Sequence, residues 1–114
     1  MSSPKARKDS RLARAVAAEV QSVIAVRGIT QRDLARMTGL SQNYISTRLR
    51  NELPLDLGDM EMICKALGLG DPAQFIVTAD ERWGDEMEVL LMQDDFQLAA
   101  KRGQRRDDDS DDGN

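Results

Sequence analysis

At 114 residues the chain has room for one small domain with tails, and a 40% hydrophobic content with only four aromatic residues points to a helical core of Leu, Ile, Val, Met and Ala. The single cysteine excludes an internal disulfide framework and suits a reducing cytoplasm. No apolar run approaches the ~18 residues of a membrane span, and no secretory signal is expected because no apolar stretch follows the basic N-terminal residues. The net charge of −4 is unevenly spread: residues 1–50 hold ten Lys/Arg against three Asp/Glu, and residues 51–114 hold six against seventeen.

Residues 1–9, which include Lys5, Arg7 and Lys8, read as a flexible basic arm. A helix is expected from Ser10, because Leu12, Val16, Val20, Val23 and Ile24 fall on one helical stripe. Gly28 stops it as a left-handed cap, with Ile29 packing back on the helix end. Thr30 opens a second helix of about two turns, with Asp33 completing a capping box and Leu34, Ala35 and Met37 on its buried side. Gly39 takes a turn that needs positive φ, and Leu40 drops into the core. Ser41 caps a third helix in which Ile45 and Leu49 are the buried pair, and Asn51 ends it.

Pro54 bars continuation through the linker 52–55. Asp56 caps a fourth helix with Leu57, Met60, Ile63, Cys64 and Leu67 on one stripe, closed by Gly68. Cys64 is expected as a small core residue rather than a redox or metal site. Asp71-Pro72 starts a short fifth helix to about Val77, with Phe75 and Ile76 covering one end of the core. The result is a compact five-helix, all-α domain over residues 10–79. Residues 80–102 form a C-terminal extension, either an amphipathic helix over 84–93 serving dimerisation or a linear segment docking on the domain or a partner. Residues 103–114 are low-complexity and charged and are expected to be a disordered acidic tail. The acidic run 107–112 lacks the glycine and spacing of a calcium loop, and no metal or cofactor is expected.

The third helix concentrates the informative chemistry. With Ile45 and Leu49 pointing inward, Gln42, Asn43, Ser46, Thr47 and Arg50 spread over the opposite side. A helix–turn–helix that lays its second helix in the major groove of double-stranded DNA needs such a face. Gln and Asn pair with adenine N6 and N7, Arg pairs with guanine O6 and N7, and Thr offers a methyl to thymine or a hydroxyl to phosphate. Gln42, Asn43 and Thr47 are expected to read bases, with Ser46 in support and Arg50 within reach of a guanine. Arg48 is expected on phosphate. Gln31 at the start of the preceding helix, Arg32 and Arg36 on its outer face, and Lys5, Arg7 and Lys8 of the arm are the further phosphate candidates. Tyr44 is expected as half-buried packing with its hydroxyl at the backbone, not as a base-stacking ring.

Residues 30–69 resemble the lambda-repressor-like, Cro/xenobiotic-response-element type of helix–turn–helix through Thr30-Gln31, Asp33-Leu34-Ala35, Gly39-Leu40-Ser41, Tyr44-Ile45-Ser46 and Ala66-Leu67-Gly68. The stretch 47–54, TRLRNELP, is similar to a variant common in phages and actinobacteria. With its flanking helices the resemblance covers about residues 10–78. It implies a five-helix domain whose third helix enters the major groove, often in a homodimer on a near-palindromic operator. Two residues depart from the pattern: Asn51 stands where such sequences usually have glycine, and Leu49 replaces an acidic residue whose salt bridge often fixes the recognition helix.

The leading expectation is therefore a small phage or bacterial transcriptional regulator, a repressor or Cro-like protein of the host cytoplasm and nucleoid, with no small-molecule substrate and no membrane partner. No second domain large enough for self-cleavage or ligand sensing is expected. The alternative is an interaction module on the same fold, such as an antitoxin whose segment 83–98 folds onto a toxin. An enzyme is not expected, since the chain has no histidine, no nucleotide-binding glycine loop, and a cysteine on an apolar stripe.

Overall fold

The computed structural model describes residues 10–104, with side chains over residues 10–93. The expected arm with Lys5, Arg7 and Lys8, and the acidic run 107–112, lie outside the described residues. Five helices follow in order: α1 (Arg11–Arg27), α2 (Gln31–Thr38), α3 (Gln42–Leu49), α4 (Leu57–Leu67) and α5 (Pro72–Gln104). Among the described residues no strand occurs, and none of their helices is long and apolar enough to cross a membrane.

Local chemistry sets each boundary. Ser10 accepts the Ala13 N–H and starts α1. Thr30 with Asp33, and Asp56 with Asp59, form reciprocal capping boxes on α2 and α4. Gly28, Gly39 and Gly68 end α1, α2 and α4 in the left-handed conformation. The Ile29 N–H reaches back to the Ile24 carbonyl at 2.8 Å, and Ile29 packs against the core.

One contiguous core joins the helices. It is built from Val16, Ala17, Val20 and Ile24 of α1, Leu34 and Ala35 of α2, Ile45 and Leu49 of α3, Met60, Ile63, Cys64 and Leu67 of α4, and Phe75 and Ala79 of α5. Three residues expected on buried stripes lie outside it. Met37 is exposed at the last turn of α2, Leu57 is 73% exposed as the first residue of α4, and Leu12 is exposed in the first turn of α1. Each sits in the first or last turn of its helix, and Leu12 and Leu57 line one cavity with Val16, Leu55, Met60 and Ile76.

The larger correction concerns α5. Instead of ending near Val77, it continues for 33 residues to Gln104, about 50 Å at 1.5 Å per residue. The segment 84–93, expected as a separate helix, is its middle, and residues 103 and 104 of the expected tail are its last two residues. The physical reason is a four-residue stripe of Phe75, Ala79, Trp83 and Met87 that continues across the expected break. Along it α5 packs mainly against α1. The Trp83 indole N–H donates to Glu19 Oε1 at 2.8 Å, and Arg82 pairs with Glu19 Oε2 at 3.3 Å. Glu19 is only 5% exposed, so these partners offset the cost of burying its carboxylate. Arg11 pairs with Asp80 at the same junction, which raises its pKa further, chiefly through the hydrogen bond to Asp80. Gly84 is buried beneath this pair: a Cβ there would collide with the Arg11 guanidinium and the Asp80 carboxylate. Glycine at this mid-helix position leaves room for these two side chains and does not end the helix.

Candidate nucleic-acid interface

The turn between α2 and α3 follows from three small residues. Gly39 takes φ 83° and sends its N–H to the Ala35 carbonyl at 2.8 Å. The Thr38 hydroxyl donates to the Leu34 carbonyl at 2.8 Å and accepts from the Leu40 N–H at 3.3 Å, so polar groups freed at the helix end are satisfied locally. Leu40 packs against the core, and Ser41 accepts the Tyr44 N–H at 3.0 Å to open α3.

Within α3, Ile45 and Leu49 are 1% and 2% exposed, which fixes the rotation of the helix about its axis. The remaining side therefore faces outward. Gln42 and Asn43 are exposed in the first turn, and their side chains make no hydrogen bond within the described residues. Ser46 and Thr47 are half-buried one turn later, and Arg50 is exposed at the end. Arg50 donates through Nη1 to Ser46 Oγ and through Nε to Glu52 Oε2, so those two predicted base readers are brought together and a carboxylate is added. Thr47 and Arg48 are also joined, by a 3.0 Å bond from Arg48 Nη1 to Thr47 Oγ1.

Asn51 adopts φ 65° and ends α3 as anticipated, while the Glu52 N–H returns to the Thr47 carbonyl at 3.0 Å. On α2, Gln31 is half-buried at the first helical position, and Arg32 is exposed. Arg36 is exposed but paired with Asp33 at 2.6 Å. Asp33 itself is held below the ordinary carboxylate range, first by the Thr30 backbone N–H it accepts, then by the Thr30 hydroxyl and Arg36.

The structure corrects the role of Tyr44 and adds residues the sequence did not single out. The Tyr44 hydroxyl bonds the Asp59 carboxylate of α4 at 2.9 and 3.1 Å rather than a backbone group. Asp59 is 4% exposed and is the same carboxylate that caps the Asp56 N–H, so one acid starts α4 and braces α3. The Arg48 guanidinium lies 3.6 Å from the centroid of the Tyr44 ring, a cation–π contact. From the other side, Gln21 of α1 donates its amide to the Leu49 carbonyl. These two braces hold α3 where the family pattern would place a salt bridge at position 49. The three-residue spacing of Asp56 and Asp59 announces a cap, but nothing local links Asp59 to Tyr44, fifteen residues away.

No curated protein and no solved structure matches the chain. A family model described as the Cro/C1-type HTH DNA-binding domain does match it, over residues 19–81. That span covers more than half of the chain and contains α2, the Gly39 turn, α3 and α4 in full. By that match, and by the two-helix unit it encloses, the chain belongs to the Cro/C1-type helix–turn–helix DNA-binding family.

Proposed function

We propose that the protein is a small transcriptional regulator, a phage repressor or Cro-like protein, that binds a specific double-stranded operator with α3 in the major groove. The observation that carries this reading is the outward face of α3: Gln42 and Asn43 stand exposed and unengaged in its first turn, while Ile45 and Leu49 anchor the opposite side. In such docking the N-terminal residues of the helix go deepest. Gln42, Asn43 and Thr47 then read bases, with Ser46 and Arg50 beside them. Gln31, Arg32, Arg36 and Arg48 hold phosphates with the help of Lys5, Arg7 and Lys8. Arg36 gives up its contact with Asp33 or shares it with the DNA. The acting species is a homodimer in the host cytoplasm, joined through the extension 80–102.

Selection of bound sites from a random DNA pool at physiological salt tests this reading. The expected result is an enriched motif with two inverted half-sites about one helical turn apart. Gln42→Ala with Asn43→Ala should then abolish the preference in a gel-shift titration. Unchanged affinity and preference in that double variant would overturn the reading.

A second reading, a partner-binding module such as an antitoxin, draws on the exposed Val89, Leu90 and Met92 of α5. Removal of residues 89–114 separates the two while keeping Trp83 on α1. A regulator keeps half-site binding, whereas a partner-binding protein loses its partner.

A further inference from the structure

Threonine at a base-reading position has two chemistries, a hydroxyl and a methyl, and its neighbours decide which of them is free. Here the Thr47 hydroxyl donates its proton to the Tyr44 carbonyl at 3.0 Å and accepts from Arg48 Nη1 at 3.0 Å. A hydroxyl has a single proton. With that proton committed, Thr47 has none to give a phosphate oxygen, a purine N7, a guanine O6 or a thymine O4, all of which are acceptors.

The arrangement is held from behind. Arg48 is stacked on the Tyr44 ring, and Tyr44 is fixed by the buried Asp59 carboxylate. Turning the hydroxyl outward would break its two bonds and leave the Tyr44 carbonyl without this partner. What Thr47 has left to present is its Cγ2 methyl and one Oγ1 lone pair, which only an adenine N6 or cytosine N4 amino group could use.

We infer that Thr47 reads DNA by apolar contact with the C5-methyl of a thymine, and that Arg48 is the positioning residue that imposes this choice. The inference rests on the reading of α3 as the groove helix and names the chemistry of one of its contacts. In the major groove the C5-methyl is the feature that distinguishes thymine from uracil, so the contact can be probed by removing one methyl group from the DNA.

The experiment replaces each thymine of the selected operator in turn with deoxyuridine and measures the affinity of the full-length chain. One position per half-site should lose about four-fold, the worth of one buried methyl. Thr47→Ser should bind the thymine and deoxyuridine forms of that position equally. Thr47→Val, which keeps methyl groups and lacks the hydroxyl, should retain the deoxyuridine penalty. Arg48→Ala should shrink the penalty, and adding Thr47→Val should restore it, because valine holds its rotamer in a helix without a hydrogen bond. A role for Arg48 confined to a phosphate contact or to the fold would weaken binding to both DNAs and leave their ratio unchanged.

A penalty that persists in Thr47→Ser, or no thymine position that depends on residue 47, overturns the inference while the operator reading stands. Failure to enrich any site from the random pool overturns the operator reading itself. The two failures are therefore distinguishable.

Discussion

Tyr44 shows how one side chain couples the recognition helix to the rest of the domain. Its hydroxyl bonds a buried carboxylate, and bonds to charged groups are worth more than neutral ones. Tyr44→Phe should cost about 1–2 kcal/mol in urea unfolding, with the helix content unchanged. Asp59 also pushes the Tyr44 phenol above its ordinary value, chiefly through that hydrogen bond, with burial adding to it. A folded pKa above the unfolded one means that this contribution is full below about pH 10 and fades as pH rises through the folded value. Tyr44 is the only tyrosine of the chain, so its phenolate absorbance reports the titration directly, and Asp59→Asn should lower the midpoint.

Asp33 carries the opposite sign. Its folded pKa lies below the unfolded one, so the stability it adds is present above about pH 4 and is lost as pH falls through the folded value. Urea midpoints of the native chain and Asp33→Ala should differ at neutral pH and draw together in acid.

Among the elements, α5 departs most from its local signals. Its expected end lies near Val77, but a helix that packs mainly on α1, burying Phe75 and Ala79 and half-burying Trp83 and Met87, gains more by continuing. Trp83 is thus part of the domain and not a free partner-binding side chain. Trp83→Phe should remove a donor from the buried Glu19 carboxylate and destabilise the domain by about 1–3 kcal/mol, seen as a lower thermal midpoint. DNA sequence preference should remain as it was, because Trp83 packs on α1 and not on α3. For the same reason a chain cut after residue 79 should unfold more readily than one cut after residue 88.

At the scale of the whole molecule, charge is segregated along the chain, and the basic half carries α2 and α3. The net charge is negative, yet phosphate neutralisation depends on the local face. Arg32, exposed beside the α2 N-terminus, is the simplest probe of that face. Arg32→Ala should weaken binding about equally across DNA sequences and reduce the slope of log affinity against log salt by about 1. A change confined to one operator sequence would assign Arg32 to base reading instead.

Helix starts, stops and most of the core were legible in the sequence, because those signals are local. Caps at Ser10, Thr30, Ser41 and Asp56 lie within three residues of the N–H groups they satisfy, and the left-handed positions at Gly39 and Asn51 follow from residue type just past the end of a helix. Burial of Ile45 and Leu49 followed from helical spacing, and with it the outward placement of Gln42 and Asn43. What tertiary structure decided were contacts between residues distant in the chain. Asp59 bracing Tyr44, Gln21 holding the end of α3, Glu19 drawing Arg82 and Trp83 onto α1, and Gly84 admitting the Arg11–Asp80 pair all require helices to meet first. A capping box can be recognised from four residues, but the partner of a buried carboxylate depends on which helix packs against it.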